Sequence, residues 1–128
     1  MKIDSTKRWV RTGVRMRAGC TYRLTASGAW TDLAMTCGPE GYASRDYPNK
    51  IASRILRVIE WTRRVRQANW FALIGAVDSD RRRKFVIGRA CSVTPRRDGE
   101  LLCFANDFWF AYLNNSGSVD LEIERVEQ

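Results

Sequence analysis

The sequence contains no histidine. That absence excludes the familiar Ser-His-Asp and Cys-His arrangements and every histidine metal site. It also removes the commonest general base, which counts against an enzyme without excluding carboxylate chemistry. No apolar run reaches the ~18 residues needed to span a bilayer. The opening "MKIDSTKRWV" lacks the apolar core of a signal peptide. A soluble protein made in the cytoplasm is therefore expected, with export by another route left open. None of the four cysteines, Cys20, Cys37, Cys91 and Cys103, forms a CxxC pair, so a zinc ribbon is disfavoured. Reduced, mostly buried thiols are the plain reading, and disulfides would accompany export. There is no internal repeat, low-complexity tract or linker.

What is present fits one domain spanning residues 1–128, with an ordinary apolar share of 45%. The net charge is +8, and arginine far outnumbers lysine. Such a surface suits anionic partners or is simply solvated.

Most of the chain reads as short strands. "WVRTGVRM" at Trp9–Met16 alternates loosely, and Tyr22, Leu24 and Ala26 recur at period two between Gly19 and Gly28. "CGPEGY" is a turn cluster. "NWFALIGAV", "KFVIGRACSV", "LLCFAND" and "SVDLEIERV" follow as further strands, separated by "DSDRRRK" and "TPRRDGE". In the last strand Leu121 and Ile123 alternate with Asp120, Glu122 and Glu124, the pattern of a half-exposed strand. Many short strands with regular turns predict a β-sandwich. One segment differs. Ile51, Ile55, Val58, Ile59, Thr62 and Val65 fall at spacings of three and four, predicting an inserted amphipathic helix at about residues 50–66, roughly four turns long. Its apolar face is expected to pack on the sandwich or a second subunit, with the arginines facing water.

The stretch "FANDFWFAYLNNSGSVDLEI" gathers Asp107, Asn114 and Asn115 in the connection between two strands. All three are hard oxygen ligands of the kind calcium accepts. Neighbouring amides in an extended strand point to opposite faces, so both reach one ion only if the chain turns at "NNSG". The alternative is a hairpin loop whose Asn side chains bond nearby backbone. The residues alone favour that alternative, since the spacing is not an EF-hand pattern.

The same residues carry a resemblance. Asn106-Asp107, then Tyr112, then "NNSGS" from Asn114 to Ser118, with "ASGAW" at Ala26–Trp30, "GPEG" at Gly38–Gly41 and "ALIG" at Ala72–Gly75, are similar in kind and order to the bacterial galactophilic lectins of the PA-IL type. The resemblance implies a mainly β, galactose-binding-like sandwich of jelly-roll type with one calcium ion at its loop tips. It implies side-chain oxygens from Asp107, Asn114 and Asn115, and backbone carbonyls from Ala111 and from the loop nearest Leu33. Two sugar hydroxyls would complete the calcium shell. Asp107, Asn114, Tyr47, Lys50 and Trp109 would then meet the sugar. Tyr47 and Lys50 stand where the family has His and Gln beside a proline, and Phe108, Trp109 and Phe110 replace small residues and proline, so galactose carries over less well than fold and ion.

A calcium-dependent carbohydrate-binding protein without catalysis is therefore expected, as a homo-oligomer. Alternatives are an assembly domain reusing the fold, or an anion binder acting through its arginines. Arg81, Arg82 and Arg83 could meet phosphate, but no aromatic-and-basic motif accompanies them, so nucleic acid is disfavoured.

Overall fold

The computed structural model describes residues 1–107 and 115–126. Among the described residues nine strands form in chain order: β1 (Lys2–Asp4), β2 (Val10–Met16), β3 (Thr21–Asp32), β4 (Met35–Cys37), β5 (Leu73–Val77), β6 (Phe85–Val86), β7 (Ala90–Val93), β8 (Gly99–Ala105) and β9 (Asn115–Val126). A helix, α1 (Lys50–Val58), lies between β4 and β5. One sheet runs β1-β9-β3-β4, with β7 also paired to β3; the other runs β2-β8-β5-β6. Every strand pair among the described residues is antiparallel. These residues are thus mainly β, in two sheets with one α-helix, as the alternating patterns predict.

Side-chain alternation decides what lies between the sheets. Tyr22, Leu24 and Trp30 of β3 are buried while Arg23, Thr25 and Ser27 face water. Leu101, Cys103 and Ala105 of β8 join them with Ile3, Met16, Val119 and Leu121 in the main core. The other face of the β8 sheet buries Phe104, Ile74 and Ala72 under Trp9 and Val65, so β5 is buried on both faces. Burial on both faces explains why "ALIGAV" is continuously apolar.

The structure divides "KFVIGRACSV". Phe85–Val86 pairs with β5 and Ala90–Val93 pairs with β3, so the chain changes sheets within the stretch expected to be one strand. Gly88 adopts φ 57° at the crossing, a conformation that L side chains rarely take.

The helix is shorter than its periodicity predicts, and it is turned. Asn49 caps it, its Oδ1 accepting the amide protons of Ile51 (2.9 Å) and Ala52 (3.1 Å). The helix stops at Val58, and a single 3-10 turn follows at Glu60–Thr62. Thr62 Oγ1 donates to the carbonyl of Ile59 at 2.6 Å. Further on, the amide of Val65 donates to the side chain of Asn106 instead of continuing a helical ladder. A buried tertiary partner thus wins over local propensity.

The face turned inward carries Ser53, Leu56 and Ile59, with Leu56 and Ile59 packed on the core. Ile59 and Val65 pack as expected, whereas Ile51, Ile55 and Val58 are exposed and do not meet the sandwich. Polar bonds set this rotation. Ser53 Oγ donates to the Ser44 carbonyl (2.7 Å), while Ser44 Oγ donates to Glu60 (2.7 Å) and accepts from Trp70 Nε1 (2.7 Å). Arg63 and Arg64 are half-buried instead of solvated. Arg63 lies over Trp70, and Arg64 lies over Trp9 and Phe104. Stacked guanidinium groups of this kind bury their planes against aromatic faces.

Candidate functional site

Period two places the polar ends of three strands in the gap between the sheets. Continuing the inward positions Leu101, Cys103 and Ala105 along the chain reaches Asp107, which is 2% exposed. The inward positions of β3 end at Asp32, one repeat beyond Trp30. Asp32 pairs directly with Asn115, the first residue of β9. Asn115 is 6% exposed.

Asn115 is oriented by one bond. Its Nδ2 donates to the carbonyl of Ser5 at 2.8 Å, which turns Oδ1 the other way. That oxygen is buried and has no hydrogen-bond partner among the described residues. A buried amide oxygen left so costs free energy unless a ligand or ion meets it.

Tyr42 links the carboxylates. Its hydroxyl donates to Asp32 Oδ2 at 2.7 Å. Burial, followed by the charges of Asp32 and Asp107, pushes its hydroxyl pKa well above the usual tyrosine range. Both acids therefore act on one group. Burial holds the Asp32 carboxyl above its ordinary value, opposed by the Tyr42 bond. Burial, then the carboxylates of Glu40 and Asp32, pushes the Cys37 thiol up to about 12. The basin is thus an acidic, partly desolvated end of the sandwich, a setting that favours a cation.

The "GPEG" turn delivers Tyr42. Pro39 accepts from the amide of Leu73 (2.7 Å), and the amide of Tyr42 donates to Trp70 (2.8 Å). Gly41 sits at φ 76°, and a Cβ there would lie 2.9 Å from Ala72 Cα, so only glycine fits this approach. Asn106 holds the neighbouring segment. Its Oδ1 accepts from Val65, and its Nδ2 donates to the carbonyls of Val65, Ala68 and Asn69 at 2.9–3.2 Å. Phe71, with φ 62°, donates its amide to the Asn106 carbonyl at 2.6 Å and accepts from Trp30 Nε1 at 3.1 Å. A non-glycine residue in that region is strained and persists only where its surroundings over-determine it.

Of the expected site residues, Asp107 and Asn115 come to this end of the sandwich. Leu33 begins the two-residue turn between β3 and β4, immediately after Asp32, with φ 53° and its side chain 65% exposed. Tyr47 packs against the core with its ring 6.1 Å from that of Tyr42. Lys50 is exposed at the start of α1. Phe108, Trp109, Phe110, Ala111, Tyr112 and Asn114 lie outside the described residues. Asp32 and Tyr42 escaped the sequence reading. The signal for Asp32 was available, because extending the period-two pattern of β3 by one repeat turns it inward.

Among the described residues no group of three or more Cys, Asp and Glu side chains forms a metal cluster. An ion here would rest on amide and carbonyl oxygens beside the acids, which calcium tolerates. All four cysteines are free thiols. The Arg81–Arg83 run lies at the opposite end of the β5–β8 pair from Asp107, beside Asp80, which accepts from Arg96 at 3.1 Å.

Two antiparallel sheets, with Asp32, Asp107 and Asn115 at one end, make up this β-sandwich. A solved structure described as "EclA N-terminal domain; PllA-like lectin" matches 98% of this chain and 94% of its own, with a TM-score of 0.70 and 18% identity. The chain therefore has the fold of a lectin domain. No family model and no curated protein matches this sequence.

Proposed function

We propose that this protein is a carbohydrate-binding lectin of the PA-IL-like kind, without catalysis, whose site is organised by calcium. The observation that carries the reading is the buried Asn115 Oδ1, held by Ser5 in a direction that meets no donor among the described residues. The likeness to a solved lectin domain supports the sugar half of the reading.

In this reading Asp107 supplies charge, and Asn115 and Asn114 supply neutral side-chain oxygens. Ala111 and Leu33 contribute carbonyls, and Asp32 is a second carboxylate close by. A bound calcium ion would supply open coordination positions for a pair of sugar hydroxyls. The chain's own residues do the rest. Tyr42 steadies Asp32 and Ser5 steadies Asn115, while Tyr47, Lys50 and Trp109 would meet the sugar, Trp109 by stacking its ring on an apolar sugar face.

The test is a glycan array probed with calcium and again with chelator, preceded by calorimetry of metal-stripped protein titrated with calcium. Calcium-dependent glycan binding is expected. Heat from calcium without glycan binding would leave a structural ion and an interaction domain. Neither heat nor glycan binding would overturn the proposal.

A further inference from the structure

The rotation of α1 leaves a surface that lectin activity does not use. Ile51 is 73% exposed, Ile55 54%, Val58 74% and Trp61 66%. They make up most of the exposed large apolar side chains among the described residues. The spacing of Ile51, Ile55 and Val58 puts them on one stripe of the helix.

One flank of this stripe carries a single sign of charge. Lys50, Arg54 and Arg57 are exposed, and the helix sequence "KIASRILRV" contains no acid. Glu60, next along the chain, is engaged by Ser44 at 2.7 Å, and Asp46 accepts from the amide of Ala43 at 3.2 Å.

We infer that α1 and Trp61 form a docking face for an anionic lipid surface. Three arguments select this occupant. A partner complementary to the stripe must be apolar along it and negative to one side, as the interface of an anionic bilayer is. A second copy packed antiparallel on the stripe would bring Arg54 and Arg57 against their own like charges. Finally, exposures of 54–74% describe a ridge, whereas peptides are held in grooves. The helix is already folded and pinned by Ser44, Leu56 and Ile59, so little ordering entropy is lost on docking. Trp61 suits the headgroup level, where an amphipathic ring meets both phases.

The experiment is co-sedimentation of the full chain, in chelator, with synthetic vesicles of phosphatidylcholine containing phosphatidylglycerol, against phosphatidylcholine alone. These vesicles carry no glycan, so the outcome is independent of calcium and sugar. Binding to the anionic vesicles only is expected, weakening with added salt. Ile55→Ser with Val58→Ser, and separately Arg54→Gln with Arg57→Gln, should each lower the partition about tenfold or more while leaving the melting temperature unchanged. Trp61→Phe should remove a vesicle-induced blue shift of the tryptophan emission. Absence of sedimentation, equal binding to both vesicles, or variants that bind like the parent would each overturn the inference. So would lipid-free self-association lost in Ile55→Ser with Val58→Ser, which would assign the face to a second copy.

Discussion

Asp32 stands directly opposite Asn115 in the β3–β9 pair. Opposed residues share a face of the sheet, so the carboxylate and the amide enter the gap between the sheets side by side. Asp107 reaches the same gap from the facing sheet, and its charge and that of Asp32 both act on Tyr42. The basin therefore has a second carboxylate beyond the one expected from the sequence. Charge count is one of the properties that tunes calcium affinity, so Asp32 strengthens the case for an ion.

If calcium binds here, it stabilises the folded state by mass action. At about a hundredfold above its dissociation constant the gain is about 2.7 kcal/mol, a rise in melting temperature of several degrees for a domain of this size. Asp107→Ala should abolish the calcium-induced rise, and Asn115→Ala should shrink it. Thermal melts in chelator and in millimolar calcium measure both, and an undiminished rise in Asp107→Ala would refute the assignment.

Asp32→Asn separates charge from hydrogen bonding, because the amide oxygen still accepts from Tyr42. In chelator the variant should melt at or above the parent, since a desolvated charge is removed. In calcium it should gain less than the parent. A variant less stable than the parent in chelator would show that the carboxylate is stabilising as it stands.

The pH dependence follows from the same group. Burial holds Asp32 above its ordinary 3.8, so across the window just above that value the folded state binds more protons than the unfolded state. Stability therefore falls as pH rises through that window, and Asp32 contributes nothing adverse below it. Asp4 acts oppositely. Its carboxyl is lowered chiefly by the Thr6 amide, so its contribution is present above 3.8 and is lost as pH falls through the lowered value. The difference between parent and Asp32→Asn isolates the first effect. Calcium binding should also weaken on acidification, as protons compete for Asp32. Denaturant titrations across mildly acidic pH decide, and parallel curves would sink the argument.

Asn106→Ala should be among the most damaging single changes. It removes an acceptor for Val65 and a donor shared by three carbonyls, all at a residue with 0% exposure. Leaving such groups unmet costs about 3–5 kcal/mol. A loss below about 1 kcal/mol in urea unfolding would mean that water replaces the side chain.

The two faces of α1 should respond differently. Ile59→Asp places a charge against the core and should cost several kcal/mol. Ile55→Asp changes an exposed position and should stay within about 0.5 kcal/mol. Equal effects would contradict the orientation set by Ser44 and Ser53.

The sequence by itself determined the class of fold. Period-two alternation in β3 and β9 is a local property, and it specified strands, inward faces and antiparallel sheets before any contact was known. It also marked Asp107 and Asn115, whose residue types and resemblance to a lectin loop were visible in the chain. It found one helix with an apolar stripe, of which Ile59 meets the sandwich and Ile51, Ile55 and Val58 do not. Periodicity reports that a face is apolar, but it cannot say whether that face meets the sandwich or water. The bonds of Ser44 to Ser53, Glu60 and Trp70 fixed the rotation, and Asn106, distant in sequence, withdrew Val65 from the helix. Only the tertiary structure could bring Asp32 beside Asn115 and Tyr42 onto Asp32, because strand pairing across long sequence separations sets which side chains share a space.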